Sequence, residues 1–183
     1  PELPEVETIR RQLRTEIVSQ TVLRAGSHQS QKFLPARKTR GRRFIGLSRR
    51  GKYLIGEFDN ETELIIHLGM TGQLLIDKNE KFSKNLDQYC RAWWSLANGK
   101  TVVFRDVRRF GRIAVVGKGD YSQIPTLRDM GPEPFSDGLT GNDVWLRTKG
   151  RKSRIKTQLL SQRLIAGVGN IYADEALFLA RIN

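Results

Sequence analysis

The sequence predicts an α+β protein: an N-terminal antiparallel β-sandwich with flanking helices, followed by a shorter helical region. Three observations lead there. Between about residues 15 and 118, short runs rich in β-formers succeed one another, separated by glycine or polar turns. Two of these runs, in "AWWSLANGKTVVF", enclose Asn98-Gly99, a strong short-range hairpin signal. Beyond "MGPEPFSDG" (130–138), whose prolines and glycines read as a turn or linker, the apolar spacing turns helical. The expected limits are a β-rich domain over 1–130, a linker over 131–141 and a helical region over 142–183.

The elements follow in order. A helix is predicted over 4–14. Pro4 suits its first position, Glu5 and Glu7 its first turn, and Val6, Ile9 and Leu13 recur at helical spacing. Strands are predicted at "RFIGLS", "KYLIGEF", "ELIIHL" and "QLLI", then across the Asn98-Gly99 hairpin, then at "GRIAVV". In the last third, "RIKTQLLSQRL" places Ile155, Leu159, Leu160 and Leu164 on one side of a helix. "AGVGN" interrupts, and "IYADEALFLARI" resumes with Ile171, Leu177 and Phe178.

Charge points to the partner. Thirty-two Lys and Arg stand against 19 Asp and Glu, a formal net charge of +13 over 183 residues. The basic residues cluster at 37–52, at 105–112 and at 147–156, which favours a polyanion and salt-sensitive binding over a merely solubilising face. No run approaches the roughly 18 apolar residues of a membrane span, so no membrane partner is expected. The start lacks a charged-then-apolar leader pattern, so a cytoplasmic location is expected. The one cysteine, Cys90, can form neither an internal disulfide nor a thiolate zinc site.

Several stretches can carry chemistry, each with an ordinary alternative. Pro1 comes first, without a methionine, in "PELPEVET". As a class, α-amines lose their proton near pH ~8 and lysines near ~10.4, so a terminal amine attacks carbonyl carbons more readily. A secondary amine yields an iminium, an electron sink, and Glu2 beside it can shuttle protons. A proline exposed by methionine removal is the alternative. Lys52, after Gly51, either projects into a cleft or decorates the surface. His67 and Met70 in "HLGMTG" read as site residues or as a structural histidine and a core methionine. In "FRDVRRFG", Arg108 and Phe110 can grip a duplex and wedge between bases, or be a solvated arginine and a buried ring. In "AGVGNIYADEALF", Asn170 suits a helix N-cap whose neighbouring N–H groups would receive a phosphate.

Together "PELPEVET", "GKYL", "HLGMTG", "DVRRFG", "MGPEP" and "GVGNIYADEALF" resemble, along the whole chain, the bacterial formamidopyrimidine-DNA glycosylases. The resemblance implies a bifunctional glycosylase and abasic-site lyase of base-excision repair that removes 8-oxoguanine and formamidopyrimidines. It implies Pro1 as the nucleophile at C1′, Glu2 as general acid/base with Glu5 nearby, and Lys52 as a phosphate-binding lysine that assists β-elimination. Met70, Arg108 and Phe110 match the side chains that fill the void left by the flipped nucleotide, with Arg108 facing the orphaned cytosine. His67 and Asn170 would hold the kinked backbone, and Arg151 and Lys156 sit where DNA-contacting lysines are placed. The partner implied is damaged double-stranded DNA, bound by a monomer, and the helical region resembles an incomplete helix–two-turns–helix module.

Two departures stand out. A His-x-His-like element of the family, one of whose histidines contacts DNA, is replaced by Tyr89 and Arg91; the resemblance carries Tyr89 over as a DNA-binding position, and Arg91 could replace a phosphate contact. The sequence also stops before the family's four-cysteine zinc finger, so no cofactor is expected. Two alternatives therefore stay open: a damaged-DNA-binding module without turnover, and an oxidised-pyrimidine glycosylase of the endonuclease VIII type.

Overall fold

A computed structural model describes residues 1–78 and 87–183. Its contacts divide them into two units: Pro1, Glu5–Arg49 and Tyr53–Asp120 in the first, Glu2–Pro4, Arg50–Lys52 and Tyr121–Asn183 in the second.

The amino-terminal helix α1 spans Leu3–Ile17, one turn longer than its predicted range at the C-terminal end. The reason lies in the stripe: Ile17 repeats the Leu13 position one turn on, and Val6, Leu13 and Ile17 are all buried with Ile9 packed beside them. Ser19, in the left-handed region at φ 71°, follows the helix. On the polar side, Glu7 accepts from Arg10 (2.7 Å), Arg11 (2.9 Å) and Arg49 of the following sheet (3.0 Å). Those partners, Arg10 foremost, hold the Glu7 carboxyl at about 2 against an ordinary 4.5. A depressed folded-state value means that this stability is complete above the unfolded value and is lost as pH falls toward the folded one. Glu7→Gln is therefore expected to cost roughly 1–3 kcal/mol at neutral pH. In urea titrations from pH 7 to pH 3 the gap between the two proteins should hold to about pH 5 and more than halve, roughly, by pH 3; a gap unchanged at pH 3 would contradict this.

Among the described residues eight strands follow: β1 Val22–Ser27, β2 Phe44–Arg50, β3 Tyr53–Phe58, β4 Thr62–His67, β5 Gly72–Asp77, β6 Cys90–Leu96, β7 Thr101–Asp106 and β8 Arg112–Gly117. They form two four-stranded sheets, β1-β6-β7-β5 and β2-β3-β4-β8. The expected hairpin is present: Trp94 pairs with Val102 and Trp93 with Val103. Gly99 takes φ 83° at its tip, where the Lys100 N–H reaches the Asn98 side chain at 3.1 Å. Both sheets feed one core. Trp94, Phe104, Leu74 and Leu96 come from the first and Leu54, Phe58, Leu64 and Ile66 from the second. Phe33, ahead of a 3-10 helix at Leu34–Thr39, adds an edge-on contact with Phe104 at 5.9 Å.

The second unit holds α2 Pro125–Arg128, α3 Gly141–Thr148, α4 Ile155–Leu160 and α5 Asn170–Leu179. Thr140 and Asp143 cap α3 reciprocally. The helix expected over 154–164 ends early at Leu160. Gln162 takes φ 63°, and its amide accepts the Gly167 N–H (2.8 Å) and donates to the Val168 carbonyl (2.6 Å), so the chain turns instead of continuing. The predicted stripe also shifts. Leu159, Leu164 and Ala173 form the small core, with Ile155 and Leu177 packed on it. Leu160, Ile171 and Phe178 are exposed. Ala173 and Leu177, one turn apart, set the buried face of α5, and Ile171 lies ~200° round from Ala173. No helix among the described residues is long and apolar enough to cross a membrane.

Candidate active site

The sequence-predicted residues fall into two groups, one in each unit. In the second unit the centre is Glu2. Its Oε2 accepts the Gly169 N–H (2.8 Å) and the Tyr172 N–H (3.3 Å), and its Oε1 accepts the Ile171 N–H (2.8 Å). A carboxylate thus satisfies donors at the start of α5, where the helix dipole favours negative charge. Two expectations are corrected here. Asn170 is the first helical residue and not the cap; the cap position is Gly169, with no side-chain capping bond of its own. The amides expected to take a phosphate are occupied by Glu2.

The glycines of "GVGN" have steric reasons. A Cβ on Gly169 would sit 2.4 Å from the Glu2 carboxyl carbon, and one on Gly167 would sit 2.5 Å from Leu3. Gly167 also takes φ 83°, and its carbonyl accepts the Leu3 N–H at 3.1 Å.

Lys52 stands on the turn after Gly51. The Gly51 N–H donates to the buried Glu133 carboxylate (2.6 Å), and Arg50 donates to the Gly131 carbonyl (2.7 Å). Gly51 takes φ 54°, and a Cβ there would lie 2.5 Å from the Met130 sulfur. Arg151 is exposed with its Nε on the Arg147 carbonyl (2.7 Å), and Lys156 pairs with Asp174 at 2.6 Å.

In the first unit, Pro1 precedes the helix and Glu5 is exposed on its first turn. The other residues gather on two loops at the strand ends, after β4 and after β7. His67 closes β4, its ring edge-on to Tyr53 at 4.7 Å, and its Nδ1 accepts the Gly69 N–H at 3.0 Å. In the neutral ring Nε2 then carries the proton and acts as a donor. Met70 (63% exposed) and Phe110 (48%) are not core residues. They flank Arg108, whose guanidinium lies 4.6 Å over the Phe110 ring and 3.5 Å from the Met70 sulfur. Three side chains from two loops thus stand together at the surface. A Cβ on Gly69 would come within 2.7 Å of the Gly111 nitrogen, so the loops are in backbone contact.

Tyr89 lies just ahead of β6, with Arg105 5.8 Å over its ring. Arg91 corrects an expectation. It is buried, with Nε on the Asp106 carbonyl (2.7 Å) and a terminal nitrogen on the Gln88 carbonyl (3.3 Å), so it braces the sheet and does not present itself to a phosphate.

Residues 1–113 match the formamidopyrimidine-DNA glycosylase N-terminal domain, and residues 130–183 match the H2TH domain of the same proteins. The chain belongs to the formamidopyrimidine-DNA glycosylase family. A relative of that name from Thermus thermophilus is 40% identical over all 183 residues, which span 65% of the relative's own length. The crystal structure of the MutM (Fpg) protein from Thermus thermophilus is similar at a TM-score of 0.87 and 42% identity, over 99% of this chain and 65% of that one. That of the Lactococcus lactis glycosylase, non-covalently bound to DNA containing an abasic site, is similar at a TM-score of 0.88 and 32% identity, over 100% and 71%.

The sequence holds one cysteine, and among the described residues no group of three or more His, Cys, Asp or Glu is placed to hold a metal ion. Burial, with Asp87 next, also pushes the Cys90 thiol up to about 11, which makes it a poor thiolate donor.

Three supporting residues escaped the sequence reading although they sit inside or beside quoted motifs: Thr71 in "HLGMTG", Asp106 in "DVRRFG" and Glu133 in "MGPEP". A lone acid among arginines was the available signal for Asp106.

Proposed function

We propose that this chain acts on damaged double-stranded DNA as a monomeric glycosylase and abasic-site lyase of base-excision repair, with oxidised purines as substrates. The observation that carries the reading is the seating of Glu2. A carboxylate adjoining Pro1 in sequence is fixed by three backbone donors, so its placement does not depend on a flexible side chain.

The chemistry follows from the residues. The unprotonated Pro1 nitrogen attacks C1′ of the damaged nucleotide; the C1′–base bond breaks, and the departing base takes up a proton. Loss of the amine proton and opening of the sugar ring leave an iminium. That cation draws electrons from C2′, so a C2′ proton is lost and the C3′–oxygen bond breaks; a second elimination releases the 5′ oxygen. Glu2 carries protons in these steps, with Glu5 beside the same turn. Lys52 takes the lesion-flanking phosphate. Met70, Arg108 and Phe110 fill the gap left by the flipped nucleotide. His67, through Nε2–H, and Asn170 hold phosphates, while Tyr89, Arg151 and Lys156 extend the basic surface. Residues 1–130 carry the chemistry in this reading, and 142–183 add backbone contacts.

A second reading, binding without turnover, is favoured by the net charge of +13 and its three basic clusters, which attract a polyanion without requiring any chemistry. Borohydride trapping separates the two. With duplexes holding 8-oxoguanine, a formamidopyrimidine, an oxidised pyrimidine or an abasic site, the expected result is a reduced covalent adduct, strongest for the purine lesions or the abasic site. Salt-sensitive binding with no adduct on any duplex would leave only the second reading, and a preference for the pyrimidine lesion would move the specificity to the endonuclease VIII type.

A further inference from the structure

The geometry points to Asp106 and Thr71 as positioning residues that set the protein's preference for the base opposite a lesion. The inference rests on the DNA-binding part of the function proposed above. Arg108, Met70 and Phe110 are exposed, and the Arg108 guanidinium touches both of the other side chains. What holds their loops lies beneath. Asp106 ends β7 and is fully buried. Its Oδ1 accepts the Thr71 hydroxyl at 2.6 Å, and its Oδ2 accepts the Gly111 N–H at 2.7 Å. One carboxylate therefore ties the residue after Met70 to the residue after Phe110.

Thr71 completes the link, because its Oγ1 accepts the backbone N–H of Arg108 at 3.1 Å. Asp106 is itself fixed through its backbone: its N–H donates to the Tyr89 carbonyl (3.0 Å), and its carbonyl accepts the buried Arg91 (2.7 Å). Arg109, between the two probing side chains, takes φ 57°, a conformation a non-glycine residue keeps only when its surroundings impose it. Its carbonyl accepts the Lys32 ammonium at 3.0 Å.

The consequence concerns base choice. A guanidinium presents a rigid fork of donors, and cytosine offers two adjacent acceptors, N3 and O2, on its pairing edge. Adenine offers one acceptor beside a donor, which repels the fork. Such discrimination requires the Arg108 backbone to be placed to within a fraction of an ångström, and the Thr71 hydroxyl is what bonds it to the buried carboxylate.

The test is the ratio of dissociation constants for two duplexes bearing a stable tetrahydrofuran abasic analogue, opposite adenine or opposite cytosine, read by fluorescence anisotropy. The wild-type chain is expected to favour cytosine by at least fivefold. Thr71→Val should bring the ratio below twofold, and Thr71→Ser, which keeps the hydroxyl, should restore it to near the wild-type value. Thr71→Ala, which puts no methyl group against the buried carboxylate, carries the same expectation should the valine variant melt below the assay temperature. A general loss of structure would weaken both affinities together and leave the ratio alone. A wild-type ratio retained by both hydroxyl-free variants, or no preference in the wild type, overturns the inference. Borohydride trapping of the wild type on the natural abasic site is run in parallel. Absence of an adduct with the base preference intact removes the catalytic reading and leaves this one standing.

Discussion

Adding a single residue ahead of Pro1, or acetylating its nitrogen, is expected to lower borohydride-trapped adduct by at least ~100-fold while duplex binding persists. An amine nitrogen has a lone pair to donate, whereas in an amide that pair is delocalised into the carbonyl and the group becomes planar. No rearrangement of neighbouring side chains restores nucleophilicity. The measurement is adduct formation on an abasic duplex by denaturing gel, paired with anisotropy on the tetrahydrofuran analogue and intact mass to establish the state of the nitrogen. An extended or acetylated chain that still forms adduct at the unmodified rate would show that another amine, Lys52 first among the candidates, makes the bond.

Glu2→Gln should produce two losses at once. The first is chemical: an amide cannot shuttle protons, and adduct formation should fall by on the order of 100-fold. The second is structural. Three backbone N–H groups of the α5 start converge on the two carboxylate oxygens. Glutamine has one acceptor oxygen, and its amide nitrogen would meet an N–H donor. Hydrogen bonds to charged groups are worth about 1.5–3 kcal/mol, and an unpaired donor at the helix start costs a further fraction of that. Hydrogen exchange distinguishes the two effects. The amides of Gly169, Ile171 and Tyr172 should exchange faster, while those of α3, capped independently by Thr140 and Asp143, should not. Glu2→Asp should keep the charge yet fall short of the helix, losing protection with a smaller chemical deficit. Unchanged protection in Glu2→Gln would mean that the carboxylate does not cap α5 in solution.

Strands β2 to β8, the Asn98-Gly99 hairpin and the first helix were legible in the sequence because their signals are local, whereas β1 at Val22–Ser27 was not predicted. Alternating apolar residues, a turn dipeptide that accepts positive φ, and a stripe at Val6, Ile9 and Leu13 need no distant partner to be read. The helix ends were not legible where a distant group ended them. Gln162 breaks the helix after Leu160 by bonding to the main chain of residues 167–168, and nothing within 154–164 announces that. The buried face of α5 was misread for a similar reason, since Ile171 and Phe178 are as apolar as Leu177 and only the position of Leu159 and Leu164 selects among them.

The candidate site divides the same way. By itself the sequence determined which chemical groups are available: a proline amine, an adjoining carboxylate, a lysine after a glycine, and a methionine, an arginine and a phenylalanine in glycine-bounded loops. Only the tertiary structure decided what each group touches. It gave the α5 amides to Glu2 and not to a phosphate, turned Arg91 inward, and placed Asp106 where one carboxylate joins two loops. The physical reason is that hydrogen-bond partners are chosen by distance in space, to within tenths of an ångström. Glu2 and Gly169 stand 167 positions apart in the chain, a separation over which local residue patterns carry no geometric information.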